Sequence, residues 1–84
     1  MTRAAVLIYS RPGCHLCEEA KAEIQTAGCD GEFTLDEVNI DDDPELLERY
    51  QYDIPVVFIN GMKVFKHRVD RHAFKSKLCR LRKS

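Results

Sequence analysis

The chain has 84 residues, enough for one small domain with a modest core and little stability to spare. Its 44% hydrophobic content and net charge of −1 are those of an ordinary folded protein and exclude a disordered acidic chain. No apolar run approaches the roughly 20 residues that span a bilayer, and Ala4 to Ile8 is too short for a secretion leader, so the expected compartment is the cytoplasm.

In chain order, AAVLIYS (4–10) is an apolar run rich in strand formers and reads as a buried strand, broken by Pro12-Gly13. From His15 to Ala27 the period becomes helical, with Leu16, Ala20, Ile24 and Ala27 on one face and Gly28 as the stop. EFTLDEVNI (32–40) alternates imperfectly, interrupted at Glu37, and reads as a second strand. DDDPELLERYQ (41–51) carries helix-start chemistry, with aspartates as caps and Pro44 in the first turn. IPVVFI (54–59), the tight turn Asn60-Gly61 and KVFKH (63–67) read as a hairpin. Asp70 caps a last helix whose Phe74, Leu78 and Leu81 share a face. The order is βαβαββα, one α/β domain over 1–84. The first βαβ unit requires parallel strands and a right-handed crossover.

Charge is uneven along this order. Asp36 to Glu48 is acidic, whereas beyond Lys63 the acidic residue Asp70 stands alone among many Lys and Arg. Two readings stand, a basic face for an acidic partner or the solvated side of a terminal helix with a basic tail. No nucleic-acid motif accompanies the charge, so the second is preferred and no nucleic-acid partner is expected.

The chemistry lies in SRPGCHLC (10–17). A reducing compartment makes static disulfides rare, so the four cysteines, Cys14, Cys17, Cys29 and Cys79, point to metal or redox use. Structural zinc needs four ligands, usually in two closely spaced pairs. His67 and His72 lie too far along the chain to complete a zinc-finger pattern with Cys14 and Cys17, and read as surface residues, so no metal site is expected. Redox use fits better. The pair sits where a strand ends and a helix begins, and unpaired N–H groups at a helix start favour a thiolate, the nucleophilic form. Cys17 shares a side with Ala20 and Ile24 and leans toward the core. Cys14 lies outside the apolar stripe. Cys14 is therefore the expected attacking thiol and Cys17 the resolving one. Cys29, in a loop after Gly28, and Cys79, opposite the apolar face of the last helix, stand outside this chemistry.

YSRPGCHLCEEAK (9–21) resembles the active-site segment of the glutaredoxins, small dithiol oxidoreductases of the thioredoxin superfamily, and DIPVVFINGMKVF (53–65) is similar to their Val-Pro segment and hairpin. The resemblance covers nearly the whole chain and looks closest to the glutaredoxin-like branch that carries Arg-Pro-Gly-Cys-His-Leu-Cys. It implies a thioredoxin fold, a mixed four-stranded sheet in the order 2-1-3-4 flanked by helices. It also implies a cis Pro55 facing the cysteines, Ile54 offering backbone hydrogen bonds to substrate, and Arg11 near the thiolate, binding a substrate carboxylate. Asp70 matches the family's Asp before the last helix.

Two departures bear on substrate. His15-Leu16 replaces the usual Pro-Tyr between the cysteines, and KHRVD (66–70) replaces the glycine pair that receives the γ-glutamyl end of glutathione. His67, Arg68 and Val69 are expected not to reproduce the open, positive-φ backbone of that pair, so glutathione should bind weakly. The implied activity is thiol–disulfide exchange on protein or small disulfides. The implied protein is a monomer without a bound cofactor, served by glutathione or a thioredoxin-reductase-type donor. A non-enzymatic redox adaptor and a glutathione-linked iron–sulfur carrier are the alternatives.

Overall fold

Alternate residues of the first strand, β1 (Ala4–Ser10), are buried, and that period sets the layers of the protein. The computed structural model describes residues 3–28 and 31–82. β1 is followed by α1 (His15–Thr26), β2 (Phe33–Asn39), a 3₁₀ turn (Ile40–Asp42), α2 (Pro44–Tyr50), β3 (Val56–Ile59), β4 (Met62–Lys66) and α3 (Arg71–Arg82). The strands form one sheet in the order β2-β1-β3-β4. β1 runs parallel to β2 and antiparallel to β3, and β3 runs antiparallel to β4.

Register follows from burial. Val6 pairs with Leu35 on one side and Ile59 on the other, and Ile8 with Glu37 and Val57. These positions share one face, beneath α1 and α3. Ala20 and Ile24 of α1 and Phe74 and Leu78 of α3 close over Ala4, Val6, Ile8, Val57 and Ile59. The Phe33 and Phe74 rings meet edge to face, 5.5 Å apart. On the opposite face Tyr50 of α2 stacks on Tyr9 at 4.9 Å, and Phe58 closes the cluster edge-on. Helices thus cover both faces. No helix among the described residues is long and apolar enough to cross a membrane.

Several boundaries depart from the sequence reading. Ile40 leaves the strand and is fully buried in the 3₁₀ turn. The reason is local: the Asn39 side chain accepts the Asp41 N–H at 2.9 Å, and two residues on Asp43 accepts the Glu45 N–H at 3.0 Å to start α2 with Pro44 in its first turn. Two successive caps divide what reads as one helix start. Leu16 is not on the buried face; it is 36% exposed, and the buried stripe is Cys17, Ala20 and Ile24. Leu16 lies about 100° around the helix from Cys17, at the margin of that stripe. The hairpin turn is as expected, with positive φ at both Asn60 and Gly61.

The topology has a consequence for chemistry. β1, β2 and β4 end at the same pole of the sheet, and β3 begins there. Four connections meet at that pole: residues 11–14, 40–43, 51–55 and 67–70.

Candidate active site

Residues 11–14 make a tight turn in which the Cys14 N–H donates to the Arg11 carbonyl at 3.2 Å. Gly13 has φ +79°, and proline followed by a positive-φ glycine is the signature of a type II turn. Arg-Pro-Gly-Cys therefore swings the chain from β1 into α1. Cys14 keeps extended backbone angles as the N-cap of that helix. Its Sγ accepts the Cys17 N–H at 3.2 Å, and its carbonyl accepts the Glu18 N–H, also at 3.2 Å. A sulfur stands where a Ser or Asp oxygen usually caps a helix.

Cys14 is half-buried, Cys17 is buried and Cys79 is exposed, and all three are free thiols; Cys29 lies outside the described residues. Burial pushes the Cys17 thiol up to about 12. A hydrogen bond with the Cys14 side chain and the charges of Cys14 and Glu37 push the same way, while a hydrogen bond with the Arg11 backbone opposes them. At neutral pH Cys17 is therefore a thiol, held against the helix-capping sulfur of Cys14.

The charge of Glu37 belongs to a polar knot that the sequence reading missed. Glu37 pairs with Ile8 in the sheet and points to the α1 side, where the buried Ser10 hydroxyl donates to its Oε2 at 2.7 Å. Lys21 reaches it from α1 at 3.0 Å and also contacts Glu18 at 2.5 Å. The Ser10 hydroxyl first, and then Lys21, hold the Glu37 carboxyl below the usual carboxylate range. Glu18 and then Glu37 raise Lys21. The available signal was a charged residue at an inward position of a strand, which reads as imperfect alternation without the fold.

The other expected site residues gather at the same pole. The Ile54–Pro55 peptide is cis. Because Tyr9 pairs with Val56, one further step of the register brings Pro55 beside Ser10 and the loop before β3 beside the cysteine turn. The Ile54 N–H donates to the Tyr50 carbonyl at the end of α2 at 3.1 Å. The guanidinium of Arg11 pairs with Asp41 at 3.0 Å. Asp70 caps α3: its side chain accepts the His72 N–H at 3.3 Å and its carbonyl the Phe74 N–H at 2.8 Å.

His67 requires a correction. Expected from its residue type not to take a positive φ, it has φ +71°. Its N–H is held by the Pro55 carbonyl at 2.9 Å and the Asp53 carbonyl at 3.2 Å, and these bonds stabilise a backbone that glycine would adopt unaided. What separates His67, Arg68 and Val69 from a glycine pair is their side chains. His67 and His72 are exposed, and among the described residues no three of His, Cys, Asp and Glu group closely enough to hold a metal ion.

A buried thiol behind a helix-capping one, at the joint of a βαβ unit beside a cis-proline loop, defines a thioredoxin-like dithiol fold. The model of the Glutaredoxin-like domain (DUF836) matches residues 5–79, and the chain belongs to that family. It is 34% identical over 71 residues to the Glutaredoxin-like protein YDR286C homolog of Dictyostelium discoideum, a match covering 77% of this chain and 66% of that protein. The chain thus spans just under two thirds of that relative. Among solved structures, protein XcR50 from X. campestris superposes with a TM-score of 0.77 at 28% identity, over 89% of this chain and 96% of that one. Protein Ne2328 from Nitrosomonas europaea gives 0.76 at 26%, over 92% and 93%. Chloroplastic thioredoxin z gives 0.76 at 12%, over 98% and 80%, a likeness of fold alone.

Proposed function

We propose that this protein is a dithiol disulfide oxidoreductase. The observation that carries the reading is the asymmetry of the pair: Cys14 is half-buried at a helix cap, and Cys17 is buried behind it as a protonated thiol. The Cys14 thiolate attacks one sulfur of a substrate disulfide. That S–S bond breaks, a Cys14–substrate disulfide forms, and the leaving thiolate takes up a proton. With Cys14 in the mixed disulfide, its charge no longer opposes ionisation of Cys17. Cys17 then gives up its proton and attacks the Cys14 sulfur, releasing the second substrate thiol. Two electrons pass to the substrate and the Cys14–Cys17 pair is left oxidised. Substrates are protein or small disulfides, and the Ile54 carbonyl and Pro55 wall guide them to Cys14.

The oxidised pair is returned by an external dithiol or thiol donor, and no bound cofactor is needed. A thioredoxin-reductase-type donor serves at least as well as glutathione, because side chains occupy the place of the glycine pair. A reducing compartment such as the cytoplasm suits a pair that works from the dithiol state. The test is turnover of a disulfide-bonded protein with each donor in turn. Cys14→Ser should abolish it, and Cys17→Ser should accumulate a mixed disulfide visible by mass spectrometry. Full turnover by Cys14→Ser refutes the assignment. Efficient glutathione-driven turnover of a glutathionylated peptide by Cys17→Ser refutes the donor preference.

A further inference from the structure

Many of the cations that the sequence collects after Lys63 are exposed, from Arg68 at the cysteine pole along α3. Arg68 lines a groove with Leu16, Glu19, Ala20, Glu23 and Val69, and Leu16 is the residue between His15 and Cys17. From there a strip follows the outer side of α3, where His72, Lys75, Ser76, Cys79 and Arg80 are all exposed. Positions 72, 75, 76 and 79 fall on one face at helical spacing, opposite the buried Phe74 and Leu78. Lys63 and Lys66 add charge on the neighbouring edge strand β4.

These cations lack internal partners. The ion pairs among the described residues involve Arg11, Lys21 and Arg71, and leave Lys63, Lys66, Arg68, Lys75 and Arg80 unpaired. Asp70, the acidic residue within the strip, is exposed and caps α3 by accepting the His72 N–H. Among the anions, Glu19 and Glu23 line the groove beside Arg68, with Glu23 paired to Arg71, and Asp41, Asp42 and Asp43 lie in the 40–43 connection after β2. The unpaired cations therefore lie on α3, on β4 and in the connection between them, which meets the cysteine pole at residues 67–70.

We infer that the strip from Arg68 along α3 docks an acidic surface of the disulfide-bearing substrate protein. The inference rests on the oxidoreductase reading and specifies its substrate class. The half-exposed Leu16 supplies an apolar contact beside Cys14, and the unpaired cations supply the charged rim, the division of labour of a protein docking surface. Nucleic acid is the less suitable occupant: no aromatic side chain of the strip is exposed for base stacking, since Phe65 is half-buried and Phe74 is buried. Charge of this kind acts chiefly on encounter, raising association rates by about 10- to 1,000-fold at low salt and fading as the Debye length shrinks to about 3 Å at 1 M.

The experiment uses two peptides with the same intramolecular disulfide, one followed by a run of Glu and the other by a run of Lys. At low salt the Glu-tailed peptide should be reduced about tenfold faster, with near-equal rates at about 1 M salt. In a Lys75→Glu/Arg80→Glu variant the ratio should fall at least about fivefold. A ratio needs no correction for altered folding, because both peptides meet the same variant. Equal rates at low salt, or a ratio the variant does not move, overturns the inference and leaves the oxidoreductase reading intact. If neither peptide is reduced, that reading fails, and the strip is judged by fluorescence anisotropy on the Cys14→Ser/Cys17→Ser protein. There, salt-sensitive binding of the Glu-tailed peptide, lost in the charge-reversed variant, supports docking; its absence overturns it. Tighter binding of a single-stranded oligonucleotide than of the Glu-tailed peptide also overturns it.

Discussion

Alkylation of the native, reduced protein at pH 7 should modify Cys14 and Cys79 well before Cys17. Raising the Cys17 thiol from 9.0 to about 12 lowers its thiolate fraction at neutral pH about a thousandfold. A more basic thiolate is intrinsically more nucleophilic. With a Brønsted slope of about 0.4–0.5, that property returns about 20-fold and leaves a deficit of about 50-fold. Burial adds to it, since Cys17 is only 1% exposed. The assay is limited iodoacetamide treatment, quenching, and peptide mass spectrometry on each cysteine over time. In denaturant all cysteines should react at similar rates, which ties the difference to the fold. Comparable native rates at Cys17 and Cys79 would refute the reasoning, and preferential modification of Cys17 over Cys14 would reverse the assigned roles.

The remaining expectations concern charge, core and spare thiols. Removing the Glu37 charge by Glu37→Gln should lower the Cys17 thiol and speed its alkylation at pH 8–9 by a few-fold, because that charge opposes ionisation; unchanged labelling would disconnect the two. The sign for stability is opposite at the two ends of the pH scale. Cys17, raised on folding, contributes stability that is full below about pH 9 and lost as pH rises toward 12, whereas Glu37, lowered on folding, contributes stability lost as pH falls below about 4.5. Chemical denaturation across pH, repeated on Cys17→Ala and Glu37→Gln, should flatten the alkaline and acid limbs respectively. Phe74→Ala should cost about 3–5 kcal/mol, measured by urea unfolding, because the ring is fully buried against Phe33. A Cys29→Ser/Cys79→Ser protein should keep its exchange rate within about tenfold; a larger loss with the fold intact would give one of those thiols a part in the reaction.

The elements and their order were legible because each carries its own period: alternation in β1, the 3.6 repeat of Ala20, Ile24, Phe74 and Leu78, and the Asn60-Gly61 turn. The resemblance to glutaredoxins carried the strand order and the cis bond at Pro55. Interactions between segments distant in sequence were not legible. Nothing in the residues around Arg11 announces Asp41, and nothing around Ser10 announces Glu37, 27 residues away. The backbone of Ile54 appeared free until α2 was seen to end on it. His67 shows the limit of propensity most directly: a positive φ disfavoured for its residue type is held by two carbonyls from the neighbouring loop.

The Asn60-Gly61 turn bears on how the protein is handled. Asn60 Oδ1 accepts the Ala5 N–H at 2.9 Å, while its Nδ2 donates to the Leu81 carbonyl at 3.3 Å. One side chain thus gathers the start of β1, the hairpin tip and the end of α3 into a clasp. Cys14 lies past the other end of β1, beyond the five residues and about 17 Å of strand that run from Ala5 to Ser10. A fluorophore, affinity handle or carrier joined near either Ala5 or Leu81 would therefore sit behind the reactive sulfur, out of the path of an incoming disulfide. Loosening the clasp, as Asn60→Ala would, should free both anchoring ends together while leaving the loops around the cysteines in place.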